Sequence, residues 1–258
     1  MTDTFLQLIA DRHIPSVLRH FVDHAPGAVV TQTESALLVA SAAERGTAYH
    51  NAAVRLDRKT DPDAVIKDMR EFEAASGRRL LLWTSGADDA DLEHAALDAG
   101  LQLRVTTTGM AITERPDLPA DEHGNLTWVT DLAGVEAFAH VHTNVRGDGT
   151  GVPAEIVGHF ASPGALLAPN VRAAVLHLND RPVACAMVVC TGLEAGIYWV
   201  ATTADVRRRG YGERVSRAVT CAGFELGAET VLLQATQLGE SIYQKIGFKS
   251  FTTYHQYG

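Results

Sequence analysis

The chain has 258 residues, enough for one large domain or two ordinary ones, and its 46% apolar content is that of a globular protein. Its 31 acidic against 22 basic residues give a formal net charge of −9, which argues against nucleic acid as the main partner and is compatible with a cationic substrate. No apolar run reaches the roughly 18 residues of a membrane span, Met1-Thr2-Asp3-Thr4-Phe5 lacks the basic-then-apolar pattern of a signal peptide, and Cys185, Cys190 and Cys221 fit neither a zinc pattern nor a disulfide framework. The expected location is a reducing cytoplasm.

In chain order, residues 4–22 read as a helix whose apolar stripe (Phe5, Leu6, Ile9, Val17, Leu18, Phe21) is interrupted around Pro15. Gly27 to Gln32 starts a strand. Ser35–Ala43 and Ala48–Leu56 read as two strands joined by Glu44-Arg45-Gly46. Asp61-Pro62-Asp63 is a helix start, with the acid at the cap and proline at the first helical position, and Gly77 ends that helix. Arg79–Thr84 reads as a buried strand and Asp88–Ala99 as a helix stopped by Gly100. Leu101–Ile112 reads as one or two strands, with Gly109 the candidate bend. Glu114–Asn125, with Pro116, Pro119, Asp117, Asp121 and Gly124, reads as a linker. Asp131 caps a helix carrying Val135, Phe138 and Ala139. Residues 146–170 are rich in Gly and Pro apart from a short helical piece near Pro153–Phe160. Val171–Leu178 and Val183–Thr191 read as strands joined by an Asn179–Pro182 turn.

The most informative stretch runs from Gly196 to Phe248. It opens with a strand-forming run, Ile197-Tyr198-Trp199-Val200-Ala201-Thr202, followed by the polar Thr203-Ala204-Asp205. Next comes Arg207-Arg208-Arg209-Gly210-Tyr211-Gly212, a turn dense in glycine and positive charge. From Glu213 the spacing of Val215, Ala218, Val219, Ala222 and Leu226 predicts a helix with one apolar face, and Gly227 stands where a C-terminal cap would. Thr230–Thr236 reads as a second buried strand, and a short helix then carries Tyr243 toward Gly247-Phe248. A strand, a glycine-rich turn and a helix start aim several backbone N–H groups into one space, with the helix dipole adding positive charge. Gly210 and Gly212 let a ligand approach the backbone, and the arginines suit phosphates. This pattern predicts a pyrophosphate site. It is not a P-loop, because no Gly-Lys-Ser/Thr follows the glycines, and it lacks the spaced glycines and acid of a dinucleotide fingerprint.

Arg207-x-x-Gly210-x-Gly212 resembles the acyl-CoA-binding motif, Arg/Gln-x-x-Gly-x-Gly/Ala, of the GNAT superfamily of N-acyltransferases, and Tyr243-Gln-Lys-Ile-Gly247-Phe248 resembles its later Tyr and Gly-Phe. The resemblance covers about residues 170–258. It implies an α/β fold with a mixed sheet. A weak internal repeat extends it: Leu97-Asp-Ala-Gly100-Leu101 aligns with Lys245-Ile-Gly247-Phe248, placing Ala96 opposite Tyr243. The expectation is two GNAT-like halves, with a degenerate domain at 1–113, a linker at 114–125 and an acetyl-CoA-binding domain at 126–258. The rival reading is that α/β domains commonly end this way and the match is chance.

The implied chemistry is attack of an amine on the thioester of acetyl-CoA through a tetrahedral intermediate, with a small-molecule amine as acceptor and no metal. By resemblance, Val200, Ala201 and Thr202 bind the pantetheine arm through the backbone, where an N–H faces the thioester oxygen. Arg207, Arg208, Arg209, Gly210, Tyr211, Gly212 and Glu213 hold the pyrophosphate, and Tyr243 protonates the departing sulfur, its phenol being neutral at pH 7. Many members carry an Asn seven residues before that Tyr and an Ala four before it; here these are Thr236, which retains hydrogen-bonding capacity, and Gly239. Many also carry a Glu on the strand before the loop, where this chain has Tyr198 and Trp199, with Glu194 only at the strand's start. The base is therefore unassigned. His140 and His142, two apart on a helix, face nearly opposite ways and read as surface or capping residues. Trp199 reads as packing. The alternative function is a non-catalytic acyl-CoA-binding or regulatory protein. The first half either closes one side of the acceptor pocket or forms a homodimer interface.

Overall fold

The computed structural model describes residues 2–42, 49–118, 125–146 and 151–258. The Glu44–Gly46 connection and the Pro119–Gly124 part of the expected linker lie outside them. By contacts the described chain forms two compact units. The first is Met1–Gly109 with Gln234–Gln237 and Ser250–Gly258, and the second is Met110–Leu233 with Leu238–Lys249.

The first unit begins with α1 (Asp3–Asp23), which Thr2 caps and which runs unbroken through Pro15. Strands β1 (Val29–Gln32), β2 (Ala36–Ala40) and β3 (Ala52–Arg55) follow as an antiparallel series. Helix α2 (Pro62–Ser76) starts at Asp61, whose carboxylate accepts from the Asp63 amide, and stops at left-handed Gly77. It leads to β4 (Leu81–Ser85), which lies parallel to β3. A short 3-10 turn and α3 (Ala90–Asp98) lead to β5 (Leu103–Ile112). The final strand of the chain pairs antiparallel with β4 through Tyr254–Tyr257 and stands between β4 and β5. The core of this unit gathers Leu38, Val65, Met69, Phe72, Leu82, Leu92 and Tyr257. Strand β5 is single, with no break at Gly109. A Cβ there would stand 2.6 Å from the Thr252 methyl and 2.7 Å from the Tyr254 ring. The glycine is thus a close-approach position, not a bend.

The second unit holds β6 (Asn125–Trp128), α4 (Leu132–Thr143), α5 (Ala154–Phe160) and α6 (Pro163–Leu166). It continues with β7 (Val171–Leu178), β8 (Arg181–Cys190), β9 (Glu194–Thr202), α7 (Tyr211–Glu225), β10 (Thr230–Ala235) and α8 (Glu240–Ile246). The last strand, β11, is Lys249–Tyr257. The strand order is β10-β9-β8-β7-β6. β6 through β9 are antiparallel neighbours, and β10 joins β9 in parallel after the α7 crossover. The β7–β8 hairpin turns on Asn179 and Asp180 alone, both with positive φ, so Arg181 and Pro182 already belong to β8. Two elements absent from the sequence reading are β6, from the end of the expected linker, and α6.

Helix α7 buries Val215, Ala218, Val219 and Ala222 as its periodicity requires, and also Ser216, Thr220 and Gly223. A Cβ on Gly223 would meet methyls of Val188 and Val231 at 3.2 Å. Glycine there lets the helix lie close on the sheet, which fixes the height of its N-terminus.

Gly109→Ala is expected to destabilise the protein by about 1–3 kcal/mol through overpacking against the buried Tyr254 ring. Urea unfolding measures it, and an unchanged midpoint would contradict this packing.

Candidate active site

The parallel ladder between β9 and β10 is short. Thr230, Val231 and Leu232 face Glu194, Ala195 and Gly196, and the register ends there. Ile197–Thr202 continues paired on its other side to β8. That second ladder is itself irregular. Cys185 faces Ala201 and Met187 faces Tyr198, so Trp199 and Val200 together stand opposite Ala186. This is a β-bulge, and its first residue, Trp199, has φ +54°. A left-handed backbone at a bulky aromatic costs on the order of 1–3 kcal/mol and persists only where its surroundings hold it.

Three rings and a thiol do so. Trp199 stacks on Phe160 of α5 with centroids 3.7 Å apart and planes 3° from parallel. His142 of α4 meets Phe160 edge-on at 4.9 Å, and its Nε2 lies 3.0 Å from the Trp199 carbonyl oxygen. The buried Cys185 thiol also approaches that oxygen, at 3.9 Å. His142 is 5% exposed, and burial pushes its pKa down to about 4. The ring is neutral at pH 7. A carbonyl oxygen only accepts, so Nε2 carries the hydrogen and donates it. The expectation of a surface or capping histidine suits His140, which is exposed. His142 instead lies under the bulge.

After β9 the chain turns through Thr203–Val206, where Arg181 pairs with Asp205. Arg207, exposed like its neighbours, folds back on the chain. Its Nε donates to the Thr202 carbonyl at 3.1 Å and its Nη2 to the Val145 carbonyl at 2.6 Å, tying the turn to the end of β9 and to α4's exit. Arg208, with φ +62°, Arg209 and Gly210 are exposed. Gly210, with φ +85°, is the N-cap of α7, and no side chain caps that helix among the described residues. The helix begins at Tyr211, two residues before the sequence expectation. Tyr211 is 9% exposed and anchors the turn in the core. A Cβ on Gly212 would stand 3.2 Å from the Thr202 hydroxyl, so the first turn of α7 runs against the end of β9. Glu213 accepts from Arg217 at 3.1 Å within the helix. The uncapped amides of the first turn are donors in search of acceptors.

Tyr243 sits half-buried on α8, its ring edge-on to Phe248 at 6.0 Å. Gly247, with φ +116°, and Phe248 both donate their amides to the Tyr243 carbonyl, at 3.1 and 3.0 Å. Arg217 Nη2 donates to the Lys245 carbonyl at 3.2 Å, which ties α8 to α7. Burial lifts the Tyr243 phenol to about 12. The Ser216 hydroxyl is fully buried and meets no hydrogen-bond geometry with any partner among the described residues. Val200, Ala201, Thr202, the Arg207–Glu213 turn and Tyr243 thus all belong to the second unit. Thr236 groups with the first and is exposed.

The first unit carries its own short parallel pair, Ala52–Val54 of β3 with Leu81–Trp83 of β4. Past its end the space is taken by Arg55, whose side chain is 2% exposed. It pairs with Asp89 and, through both terminal nitrogens at 2.8 and 2.9 Å, with Asp91. A cavity of about 40 Å³ remains, lined by Asp11, Trp83, Ser85 and Tyr254 among others.

Residues 169–250 match the family profile described as an acetyltransferase (GNAT) domain. No protein of curated function matches the chain in sequence. Among solved structures, a GCN5-related N-acetyltransferase from Kribbella flavida is similar over 97% of this chain and 95% of its own, at 17% identity and a TM-score of 0.72. One from Sphaerobacter thermophilus covers 88% of this chain and 81% of its own, at 15% identity and a TM-score of 0.61. A tandem GNAT protein from the clavulanic acid biosynthesis pathway covers 95% and 86%, at 14% identity and a TM-score of 0.62. The fold is that of the GNAT N-acetyltransferases, tandem members included. On it the chain carries a GNAT acetyltransferase domain. Among the described residues no helix is long and apolar enough to cross a membrane, and no group of His, Cys, Asp and Glu could hold a metal ion.

The buried neutral state of His142 makes stability depend on acid. Its native pKa of about 4 lies below the unfolded value of 6.5. Its full contribution is present above pH 6.5 and is lost as pH falls toward 4, because only the unfolded chain takes up the proton there. Between pH 7 and 4.5 the wild type is expected to lose about 2–3 kcal/mol more stability than His142→Phe. Urea titrations of both at the two pH values check this, and parallel losses would overturn it.

Proposed function

We propose that this protein transfers an acetyl group from acetyl-CoA to an amine of a small-molecule acceptor, using the second unit alone. The observation that carries the reading is one constellation: the bulged end of β9, parted from β10, leads through a glycine turn into the uncapped N-terminus of α7. A diphosphate fits that helix mouth, with Arg208 and Arg209 free to approach it from solvent and Arg207 shaping the turn. Val200, Ala201 and Thr202 offer backbone groups to a pantetheine arm laid along the parted strand. In the reaction the amine nitrogen attacks the thioester carbonyl carbon, the C–N bond forms, and collapse breaks the C–S bond. Tyr243 gives its phenolic proton to the leaving sulfur and recovers one from the protonated amine through solvent. A phenol near 12 stays protonated at pH 7 and so has a proton to give when the sulfur departs. The sequence division at 113 and 125, and the loss of acyl-CoA binding from the first half, belong to the same proposal. So does a cytoplasmic location.

The second reading, a non-catalytic acyl-CoA binder, draws on the absence of an acid along Tyr198–Thr202. Thiol release from acetyl-CoA in the presence of amines, amino acids, polyamines or aminoglycosides separates the two. CoA binding by calorimetry without release for any acceptor class would favour the binder.

Tyr243→Phe is expected to lower kcat by about 100-fold or more while CoA affinity changes less than about threefold. Equal loss of both would remove Tyr243 from the acid role. Gly210→Val, which forces a β-branched residue to φ +85°, is expected to weaken CoA binding by about tenfold or more in calorimetry. An unaltered Kd would place the diphosphate elsewhere.

A further inference from the structure

The peptide joining Trp199 to Val200 is one planar unit, and in its trans form the carbonyl and the N–H point in opposite directions. Whatever holds the Trp199 oxygen therefore also sets where the Val200 hydrogen points. The oxygen is held from the α4 side by His142 Nε2 at 3.0 Å. The imidazole cannot drift, because Phe138 flanks it at 5.3 Å and Phe160 meets it edge-on at 4.9 Å. The same Phe160 ring stacks on the Trp199 indole. One side chain of α5 thus braces both partners of the hydrogen bond. Without the donor, the bulge peptide would lose the hydrogen bond that meets its oxygen from the α4 side, the Cys185 thiol at 3.9 Å being a weaker donor, and rotation of that peptide would become easier.

We propose that His142 is a positioning residue that fixes the Val200 N–H toward the acyl group, acting as a hydrogen-bond donor through the Trp199 carbonyl and not as a base. This rests on the acetyltransferase reading for its consequence but not for its geometry. An amide aimed at the thioester oxygen stabilises the negative charge that develops there, and its benefit depends on being preset. The histidine is the only ionisable ring in this three-ring cluster, and it is kept neutral by burial. It therefore serves as a donor of fixed polarity.

Three proteins test it: the wild type, His142→Phe, which keeps a ring and removes the donor, and His142→Gln, whose side-chain amide returns an N–H near the Nε2 position. Amide hydrogen exchange across Tyr198–Ala201 is expected to quicken about tenfold or more in the Phe variant and to stay near wild type in the Gln variant. The acetyl-CoA-dependent kcat is expected to fall about 10- to 100-fold in the Phe variant, with CoA affinity within about threefold, and to recover most of that loss in the Gln variant. Exchange unchanged in the Phe variant overturns the proposal. So does a Gln variant as slow as the Phe variant, which would make the ring a proton acceptor. A wild type with no turnover on any acceptor, together with faster exchange in the Phe variant, sinks the enzyme reading and leaves the brace standing. Should the Phe variant not fold, nitrogen-15 NMR of the wild-type histidines decides. The hydrogen of His142 is expected on Nε2 throughout pH 6–8, and finding it on Nδ1 overturns the proposal.

Discussion

One extra residue in β9 governs the geometry of the second unit. A regular strand alternates its peptide N–H groups between its two neighbours and offers none to a ligand. Placing Trp199 and Val200 opposite Ala186 breaks that alternation where the parallel ladder with β10 has already ended at Gly196 and Leu232. The distortion is uphill by on the order of 1–3 kcal/mol for a left-handed tryptophan. A stacked aromatic pair contributes roughly 0.5–1.5 kcal/mol beyond its buried area, and a net hydrogen bond about as much again. Phe160 and His142 together are therefore of the size needed to hold the bulge, and neither suffices with margin to spare.

The turn that follows shows a division of labour among like charges. Three adjacent arginines in a chain of net charge −9 make a local exception to the overall field, which favours an anionic ligand at that point. The structure gives the first of them a different task. Arg207 gives two donors to backbone carbonyls, so it shapes the turn, while Arg208 and Arg209 stay exposed beside it. Gly223 sets how closely α7 lies on the sheet, and the Arg217 contact with the Lys245 carbonyl brings α8 alongside. The phenol and the helix mouth thus share one rigid support, the α7 helix, which is why a packing residue far along that helix bears on both.

Much of this was legible in the residues. Asp61-Pro62 and Gly77 bound α2 as their chemistry requires, and the three-four spacing from Val215 to Ala222 gave the buried face of α7. Val200–Glu213 and Tyr243 lie in the second unit, whereas Thr236 falls with the first. What was not legible has identifiable causes. β6 is four residues with two apolar side chains, too short for alternation to stand out beside a proline-rich segment. The bulge left no trace because tryptophan does not favour positive φ; tertiary contacts impose it. Spacing told that His140 and His142 face apart, but not which one turns inward, since that depends on Phe138 and Phe160 around it.

The first unit also has a short parallel pair, but a different environment lies past its end. β3 and β4 run parallel for three residues, as β9 and β10 do. Beyond that point an arginine occupies the space that a parted strand would leave. Arg55 cannot withdraw cheaply, because Asp89 is nearly buried and would keep its charge without its partner, and breaking such a pair costs roughly 3–5 kcal/mol. The remaining cavity of about 40 Å³ holds on the order of three waters. Arg55 is therefore held in that space by its pairing as well as by packing. The turns differ too: Leu56 and the charged Asp57–Lys59 run follow β3 where Arg207–Gly212 follow β9, and α2 opens with an aspartate cap and a proline. The Asp61 carboxylate already accepts from the Asp63 amide, and its charge repels a phosphate, so this helix start stabilises its own fold where the α7 start has no side-chain cap.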